Sequence, residues 1–340
     1  MDVLSIGRVR VPNRAILAPM SGISDWPFRQ LAATYGAGLV VSEMVASDRL
    51  IARHEEARLR LEGRGLSAHV VQLAGCRADD LAEAARIAEA AGADVIDINM
   101  GCPAKRVVGG LAGSALMRDV DNAARLIAAT VAAVAVPVTV KTRLGYDKTM
   151  MNAPELARRA EAEGAQLVTI HGRTRCQRYK GRADWPGIRR VKQAVTIPVV
   201  ANGDVSDGED ARAILAQSGA DAVMVGRAAL GAPWLPGLIA AALDGTPAPR
   251  LPESPAALGE VAVEHVERLA GHAGAVHGVR LARKHVAAYA DQLVGAPETL
   301  RRAALVAETP SEAVRAIRRL FGAAGAMALR GAAPDMALAA

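Results

Sequence analysis

The sequence predicts a (β/α)8 barrel followed by a small helical domain, and three observations predict it. Four segments, "ATYGAGLVVSEM", "EAAGADVIDINM", "EAEGAQLVTIHG" and "AQSGADAVMVGR", repeat one pattern: a helix end, a glycine, then an apolar run that turns polar. Eight such runs occur in about the first 240 residues, beginning at intervals of 24 to 41 residues with helical patterns between them. The runs are continuous rather than alternating, as in parallel strands covered on both faces. Eight βα units in that length match a closed barrel. A doubly wound open sheet is the alternative, but no G-x-G-x-x-G follows the first strand.

In order, the strands are "AILAPM", "LVVSEM", "HVVQLAG", "VIDINMG", "VPVTVKTR", "LVTIHGR", "IPVVANG" and "AVMVGR". Stretches such as "DDLAEAARIAEA" and "APELARRAEAE" supply the helices. Gly36, Gly92, Gly164 and Gly219 fall where a left-handed residue stops a helix. The barrel is expected over residues 1–240 and a proline-rich linker over 241–253. A helical domain follows over 254–325 ("SPAALGEVAVEHVERLA", "HGVRLARKHVAAYADQLV", "SEAVRAIRRLFGAA"), then a flexible tail over 326–340.

Hydrophobic residues are 51% of the 340 and aromatics only 3%, so small aliphatic side chains do the packing. No apolar stretch reaches a membrane span, and "MDVLSIGRVRVPNR" lacks the apolar segment of a secretory signal. A cytoplasmic protein without membrane contact is expected. Three cysteines cannot all pair, and none stands in C-x-x-C spacing, so neither a disulfide framework nor a metal site is expected. Cys76 and Cys176 have no visible partner residue and are expected to be inert. The formal charge is +6, and residues 171–192 alone hold six arginines, two lysines and one aspartate. That concentration suggests an anionic partner more than the total does.

In barrels of this kind the site lies at the carboxyl ends of the strands. Those ends read Ala18-Pro19-Met20, Glu43-Met44, Gln72, Asn99 to Cys102, Lys141 with Arg143, His171 with Arg173, Asn202-Gly203-Asp204, and Gly226-Arg227. This is not a zinc cage or a catalytic triad; it suits a flat polar ligand carrying a phosphate. Gly203 and Gly226 follow strands seven and eight, where backbone N–H groups commonly hold phosphate, and Arg227 adds a fixed cation. Lys141, at a barrel mouth, needs an anionic or electron-rich partner, such as the N1–C2=O edge of a reduced flavin. Gln72 and His171 offer donors and acceptors to the same ring system. Cys102 lies between Gly101 and Pro103 in "NMGCPAKRVVGG". By residue type alone it is a nucleophile, a metal ligand, a proton donor or a small hydrophobe.

The motifs "LAPMSGISDWPFR", "DINMGCPAKRVVGGLAGSAL", "VTVKTRLG", "TIHGRTR", "VANGD" and "MVGRAALGAPW" together resemble the FMN-dependent tRNA-dihydrouridine synthases. The bacterial B-type branch is the most similar, and "RLARKHVAAY" in the helical part is similar to it too. The resemblance covers roughly residues 5 to 325 and implies an FMN barrel with a helical domain that helps hold tRNA. It puts FMN on Ala18, Pro19, Met20, Gln72, Lys141, His171, Asn202, Gly203, Asp204, Gly226 and Arg227, and the catalytic cysteine on Cys102.

What it implies chemically is reduction of a D-loop uridine, position 17 the first guess, by a monomeric enzyme. Hydride passes from the flavin to C6 and a proton from Cys102 to C5, with NADPH as reductant. The long, glycine-containing loop after Cys102 suits a lid. Asn99 is expected on the flavin or on the uracil edge. Arg143, Arg173 and Arg175 are expected to hold the phosphates of a flipped nucleotide, and Arg178, Lys180 and Arg182 to extend that track. Arg280, Arg283 and Lys284 share a helix face for tRNA, although "HVAAYADQL" has fewer aromatics than the family pattern.

Three other readings compete. One is an FMN-dependent dehydrogenase or reductase of a free pyrimidine, which would need neither the basic segment nor the helical domain. A phosphate-binding aldolase or epimerase would need no Gln72–Lys141 pair. A non-catalytic RNA-binding or regulatory barrel protein would not need to keep Cys102 and Lys141.

Overall fold

The computed structural model describes residues 4–323. The chain divides into two units. One holds the residues up to Ala229 together with Trp234–Pro249; the other holds Leu230–Pro233 and the chain from Arg250.

The first unit is the expected barrel. Its strands are β1 (Ala15–Leu17), β2 (Leu39–Val40, resumed at Val45–Ala46), β3 (Val70–Ala74), β4 (Val95–Asn99), β5 (Val138–Gly145), β6 (Val168–Thr174), β7 (Val199–Asn202) and β8 (Ala222–Val225). Each pairs in parallel with its neighbours. β8 pairs with β1 through Val223 opposite Ala15 and Val225 opposite Leu17. The first part of β2 pairs with β1 and the second with β3, so the one strand closes the ring.

The break in β2 has a polar cause. Ser42 Oγ accepts the Gln72 N–H (2.9 Å) in place of a ladder carbonyl, while Glu43 turns aside to accept the Gly22 N–H. The four helix-stopping glycines all take positive φ (93°, 90°, 93° and 68°), where a side chain would be strained. At the helix starts, Asp25, Asp119, Asp184 and Asp207 each accept a first-turn N–H.

A hairpin of Leu4–Ile6 and Val9–Val11 precedes the barrel, an element for which the eight-unit pattern has no place. Leu4, Ile6 and Val11 pack in one buried cluster with Val70, Val95, Leu167 and Ala222, which lie at or beside strand beginnings. The amino end of the barrel is therefore sealed, and the carboxyl end is left for the site.

The helix Leu235–Asp244 completes this unit and runs four residues into the stretch read as a linker. In the second unit, helices span Pro255–Ala273, Ala275–Ala290, Glu298–Val306 and Pro310–Ala323. The third has no counterpart among the helical stretches expected from the sequence. Leu258, Val263, Leu269, Val279, Val286, Tyr289, Leu320 and Phe321 are buried there. The first two helices cross closely at Gly278, where a Cβ would lie 2.3 Å from the Leu269 carbonyl oxygen. The expected tail over 326–340 lies outside the described residues.

Candidate active site

At the carboxyl end of the barrel is a cavity of about 680 Å³, a size that holds a flat cofactor with a small substrate. Its walls bring together every residue expected to touch a cofactor. Ala18, Pro19 and Met20 come from the end of β1, Gln72 from β3, Lys141 from β5 and His171 from β6. Asn202, Gly203 and Asp204 follow from β7, then Gly226 and Arg227 from the end of β8. Cys102, Asn99 and Arg143 line it as well. The period of two along each strand explains the inward set, because Thr139, Lys141 and Arg143 share one face of β5.

One end of the cavity is built to take an anion. Among the described residues, the N–H groups of Gly203, Asp204 and Gly226 have no acceptor within the protein. Gly203 has φ 129° and lies so close to its surroundings that a Cβ would meet Ala183 at 2.8 Å and His171 at 3.1 Å. The Asp204 carboxylate faces away from ligand duty. It accepts from Arg173 Nη2 (2.6 Å) and from the Ala183 N–H (2.8 Å), with Arg227 at 3.7 Å. At Asp204 it is therefore the backbone N–H that faces the cavity as a free donor.

Lys141 Nζ donates to Asn202 Oδ1 at 3.0 Å, and Asn202 is turned by its own bond to the Met224 carbonyl (2.8 Å). Burial lowers the Lys141 pKa to about 8 and Arg143 adds to the lowering, while Asp97 and Cys102 oppose it. The ammonium therefore persists at neutral pH. His171 is pushed far below the usual imidazole range by burial and by Lys141, Arg143, Arg173 and Arg227, so it is a neutral imidazole. Its Nε2 lies 3.3 Å from Arg173 Nη1. A guanidinium only donates, so Nε2 accepts and the ring proton sits on Nδ1.

Cys102 is half-buried at the rim and its backbone is held on both sides. Its N–H donates to Asn99 Oδ1 (2.9 Å), and its carbonyl accepts from the Ser114 N–H (3.1 Å) and Oγ (2.9 Å). Among the described residues, its Sγ makes no hydrogen bond. Asn99 also accepts the Gly101 N–H (3.2 Å) and donates to Gln72 Oε1 (2.7 Å). The Asn99 oxygen thus clamps the cysteine loop, and of its NH2 group one N–H is left toward the cavity, where Asn99 is expected on the flavin or the uracil edge. Gln72 gives one N–H to Asp97 (2.7 Å), leaving one donor for a ligand.

The lid-like loop folds into a short helix, Lys105–Gly109, and a 3-10 turn, Gly113–Arg118. At its tip Leu111 is 70% exposed with φ 61°. Leu111→Gly is expected to stabilise the protein by up to about 1 kcal/mol. The left-handed penalty of about 1–2 kcal/mol exceeds glycine's extra chain entropy of about 0.5–1 kcal/mol. A rise in the urea midpoint at unchanged slope is the readout.

The basic track is only partly as expected. Arg143 and Arg173 are each 2% exposed and brace loops. Arg143 donates to the carbonyls of Gly101 (2.6 Å), Thr174 (3.2 Å) and Arg178 (2.8 Å). Arg173 donates to those of Lys180 and Gly181 besides Asp204. Buried guanidiniums engaged in this way are not free for nucleotide phosphates, which corrects their role. Arg175 is half-buried, its guanidinium 5.2 Å from the Tyr146 ring centroid. Arg178, Lys180 and Arg182 are exposed and remain available.

Tyr179, 54% exposed and lining the cavity, is a site residue that the sequence pattern does not flag. The Arg143 and Arg227 guanidiniums lie 5.6 and 5.1 Å from its ring centroid. In the second unit Arg280 is exposed, Lys284 is half-buried, and Arg283 donates to the Ala307 carbonyl (3.1 Å). Arg283 thus closes the end of the Glu298–Val306 helix with one of its N–H groups.

A family model described as dihydrouridine synthase matches residues 16–324. The chain belongs to the dihydrouridine synthase family. A probable tRNA-dihydrouridine synthase of Rhizobium leguminosarum bv. phaseoli is 51% identical over 321 residues, covering 94% of this chain and 98% of that protein. One from Rhodobacter capsulatus is 49% identical at the same coverage. The tRNA-dihydrouridine synthase B of Serratia marcescens is 46% identical over 326 residues, covering 94% and 95%. Among solved structures, 6-hydroxypseudooxynicotine amine oxidase from Pseudomonas geniculata N1 superposes with a TM-score of 0.55 at 15% identity. It covers 77% of this chain, which spans about half (52%) of that one, and it shows the barrel fold alone.

As a dihydrouridine synthase the chain is an oxidoreductase that acts on uridine in tRNA. Among the described residues, no helix is long and apolar enough to cross a membrane.

Proposed function

We propose that this dihydrouridine synthase reduces a D-loop uridine, position 17 first, using FMN held in the barrel cavity and NADPH as reductant. It works as a monomer in the cytoplasm. One observation supports this above the others. The cavity has acceptor-less N–H groups of Gly203, Asp204 and Gly226 at one end, an unbonded Cys102 thiol on its rim, and Lys141 reaching from β5 to β7.

The donor set fits FMN. The three N–H groups and Arg227 suit its phosphate. The Lys141 ammonium suits the electron-rich edge of the ring, with the second Gln72 N–H and His171 Nδ1–H beside it. Bound and reduced, FMN supplies hydride to uracil C6. Cys102 gives its proton at C5, and the cationic field of Lys141 and Arg143 then stabilises the thiolate left behind. Pro103 keeps Cys102 extended and Asn99 holds its N–H, so the thiol is positioned before substrate arrives. A uridine must leave its stack to reach this site, and Arg178, Lys180 and Arg182 track the phosphates on either side.

The test has two parts. Purified protein is expected to be yellow and to bleach with NADPH, and tRNA from a strain lacking the gene is expected to lose dihydrouridine at position 17. Unchanged dihydrouridine at that position, with no other synthase to compensate, would overturn the assignment. Affinity for tRNA is also expected to fall steeply with salt. Changing Arg178, Lys180 and Arg182 to glutamine is expected to lower the log–log salt slope by about 0.9 for each phosphate no longer neutralised. Filter binding across a salt series measures it.

A further inference from the structure

Asp97 is one acid inside an apolar strand, upstream of the strand-end residues that mark the site. It is 4% exposed and accepts two hydrogen bonds, from Thr139 Oγ1 to Oδ1 (2.6 Å) and from Gln72 Nε2 to Oδ2 (2.7 Å). The chain of bonds continues from Asn99 Nδ2 to Gln72 Oε1 (2.7 Å) and from the Cys102 N–H to Asn99 Oδ1 (2.9 Å).

The direction of this chain is determined from both ends. The Gly101 and Cys102 N–H groups only donate, so Asn99 must present its oxygen to them and its NH2 to Gln72. Gln72 must then accept with its oxygen and donate with its nitrogen. That donation needs a buried acceptor, and Asp97 is the group in reach. Asp97 stands opposite Thr139 in the β4–β5 ladder, and Asn99 stands opposite Lys141, one inward layer further along. Asp97 is therefore also the buried carboxyl nearest in register to the Lys141 ammonium.

We propose that Asp97 is a positioning residue that terminates this amide chain, and so sets the placement of Cys102, while serving as the buried counter-charge of Lys141. The inference rests on the roles given above to Cys102 and Lys141. The groups that act on Lys141 are Arg143 on its own strand, Asp97 and Cys102 from β4 and its loop, and His171 from β6. His171 is neutral, so Asp97, ahead of Cys102, is what offsets Arg143. Burial pushes the Asp97 carboxyl up, and Thr139, Gln72 and Lys141 hold it down.

Two variants separate the two roles. Asp97→Asn keeps the chain, because its oxygen can accept from Gln72 and its NH2 can donate to Thr139, but it removes the charge. The Lys141 pKa starts at about 8. Without the carboxylate it is expected to fall by about 1 unit or more, since a nearby opposite charge is worth that much. Competitive acetylation of Lys141 in the flavin-free protein, read by mass spectrometry, gives that midpoint without tRNA. The alkaline limb of uridine reduction is expected to move to lower pH with it.

Asp97→Leu removes the acceptor at a similar volume. It is expected to change the rate of Cys102 alkylation by iodoacetamide several-fold, while Asp97→Asn leaves that rate near wild type. Should Asp97→Leu not fold, Thr139→Val, which withdraws one bond from the carboxylate, is expected to shift the Lys141 midpoint in the same direction as Asp97→Asn by less. An unmoved Lys141 midpoint in Asp97→Asn, or wild-type Cys102 alkylation in folded Asp97→Leu, would overturn the proposal. Neither result depends on whether uridine 17 is the target.

Discussion

Cys102→Ala is expected to lower reduction of uridine in tRNA by about 10²- to 10⁴-fold, the usual contribution of a general acid, while flavin content and bleaching by NADPH stay at wild-type levels. The separation follows from the geometry. The Cys102 thiol makes no hydrogen bond among the described residues, and its backbone is held by Asn99 and Ser114 rather than by its side chain. Removing Sγ therefore leaves the loop, the amide chain and the phosphate end in place. Single-turnover measurement splits the two steps: flavin reduction by NADPH should be unchanged, and reoxidation by tRNA should be slow. Cys102→Ser should lie close to alanine, because a hydroxyl is a far weaker acid than a thiol at neutral pH. Wild-type reoxidation in Cys102→Ala would exclude the proton-donor role.

Arg173→Met is expected to cost about 3 kcal/mol of stability and most of the flavin retained through purification. Arg173 is 2% exposed and makes the only bond shorter than 3 Å from a cation to the Asp204 carboxylate among the described residues. Breaking a buried pair costs about 3–5 kcal/mol. The lower end applies because the Asp204 side chain keeps 32% of its surface in water. Two loop carbonyls, Lys180 and Gly181, lose their donor as well. The flavin effect has a separate cause: Asp204 sits at the phosphate end, and without Arg173 its charge repels the phosphate it now tolerates. Arg173→Met combined with Asp204→Asn should regain flavin affinity but only part of the stability. Thermal unfolding and flavin titration of the single and double variants read the two effects independently.

Much of the site was legible because βα repetition marks where strands end, and strand ends are where such barrels place polar groups. Gln72, Lys141, His171, Gly203 and Gly226 all line one cavity on that account. The reading failed where function was inferred from charge alone. Arg143 and Arg173 carry the same residue type as Arg178, but period two turns them inward, where desolvation makes backbone carbonyls their partners. Asn99 has a second task that its residue type does not show: the two N–H groups of the turn after it claim its oxygen. Tyr179 and Asp97 lie outside the strand-end pattern, and only weak signals point to them: an aromatic within the basic segment, and an acid two residues before Asn99 on the same strand face.

The sequence by itself determined the eight strands, the glycine stops between them, the helical second part and the family, because each rests on local periodicity or on residues close together in the chain. Only the tertiary structure decided that a hairpin of Leu4–Val11 seals the amino end, that β2 breaks at Ser42, and that Asp97, Gln72, Asn99 and Cys102 form one directed chain. Those features depend on which donors and acceptors meet across strands 25 to 30 residues apart. A buried polar group takes whatever partner the closed barrel brings within reach, and neighbours in sequence do not specify that partner.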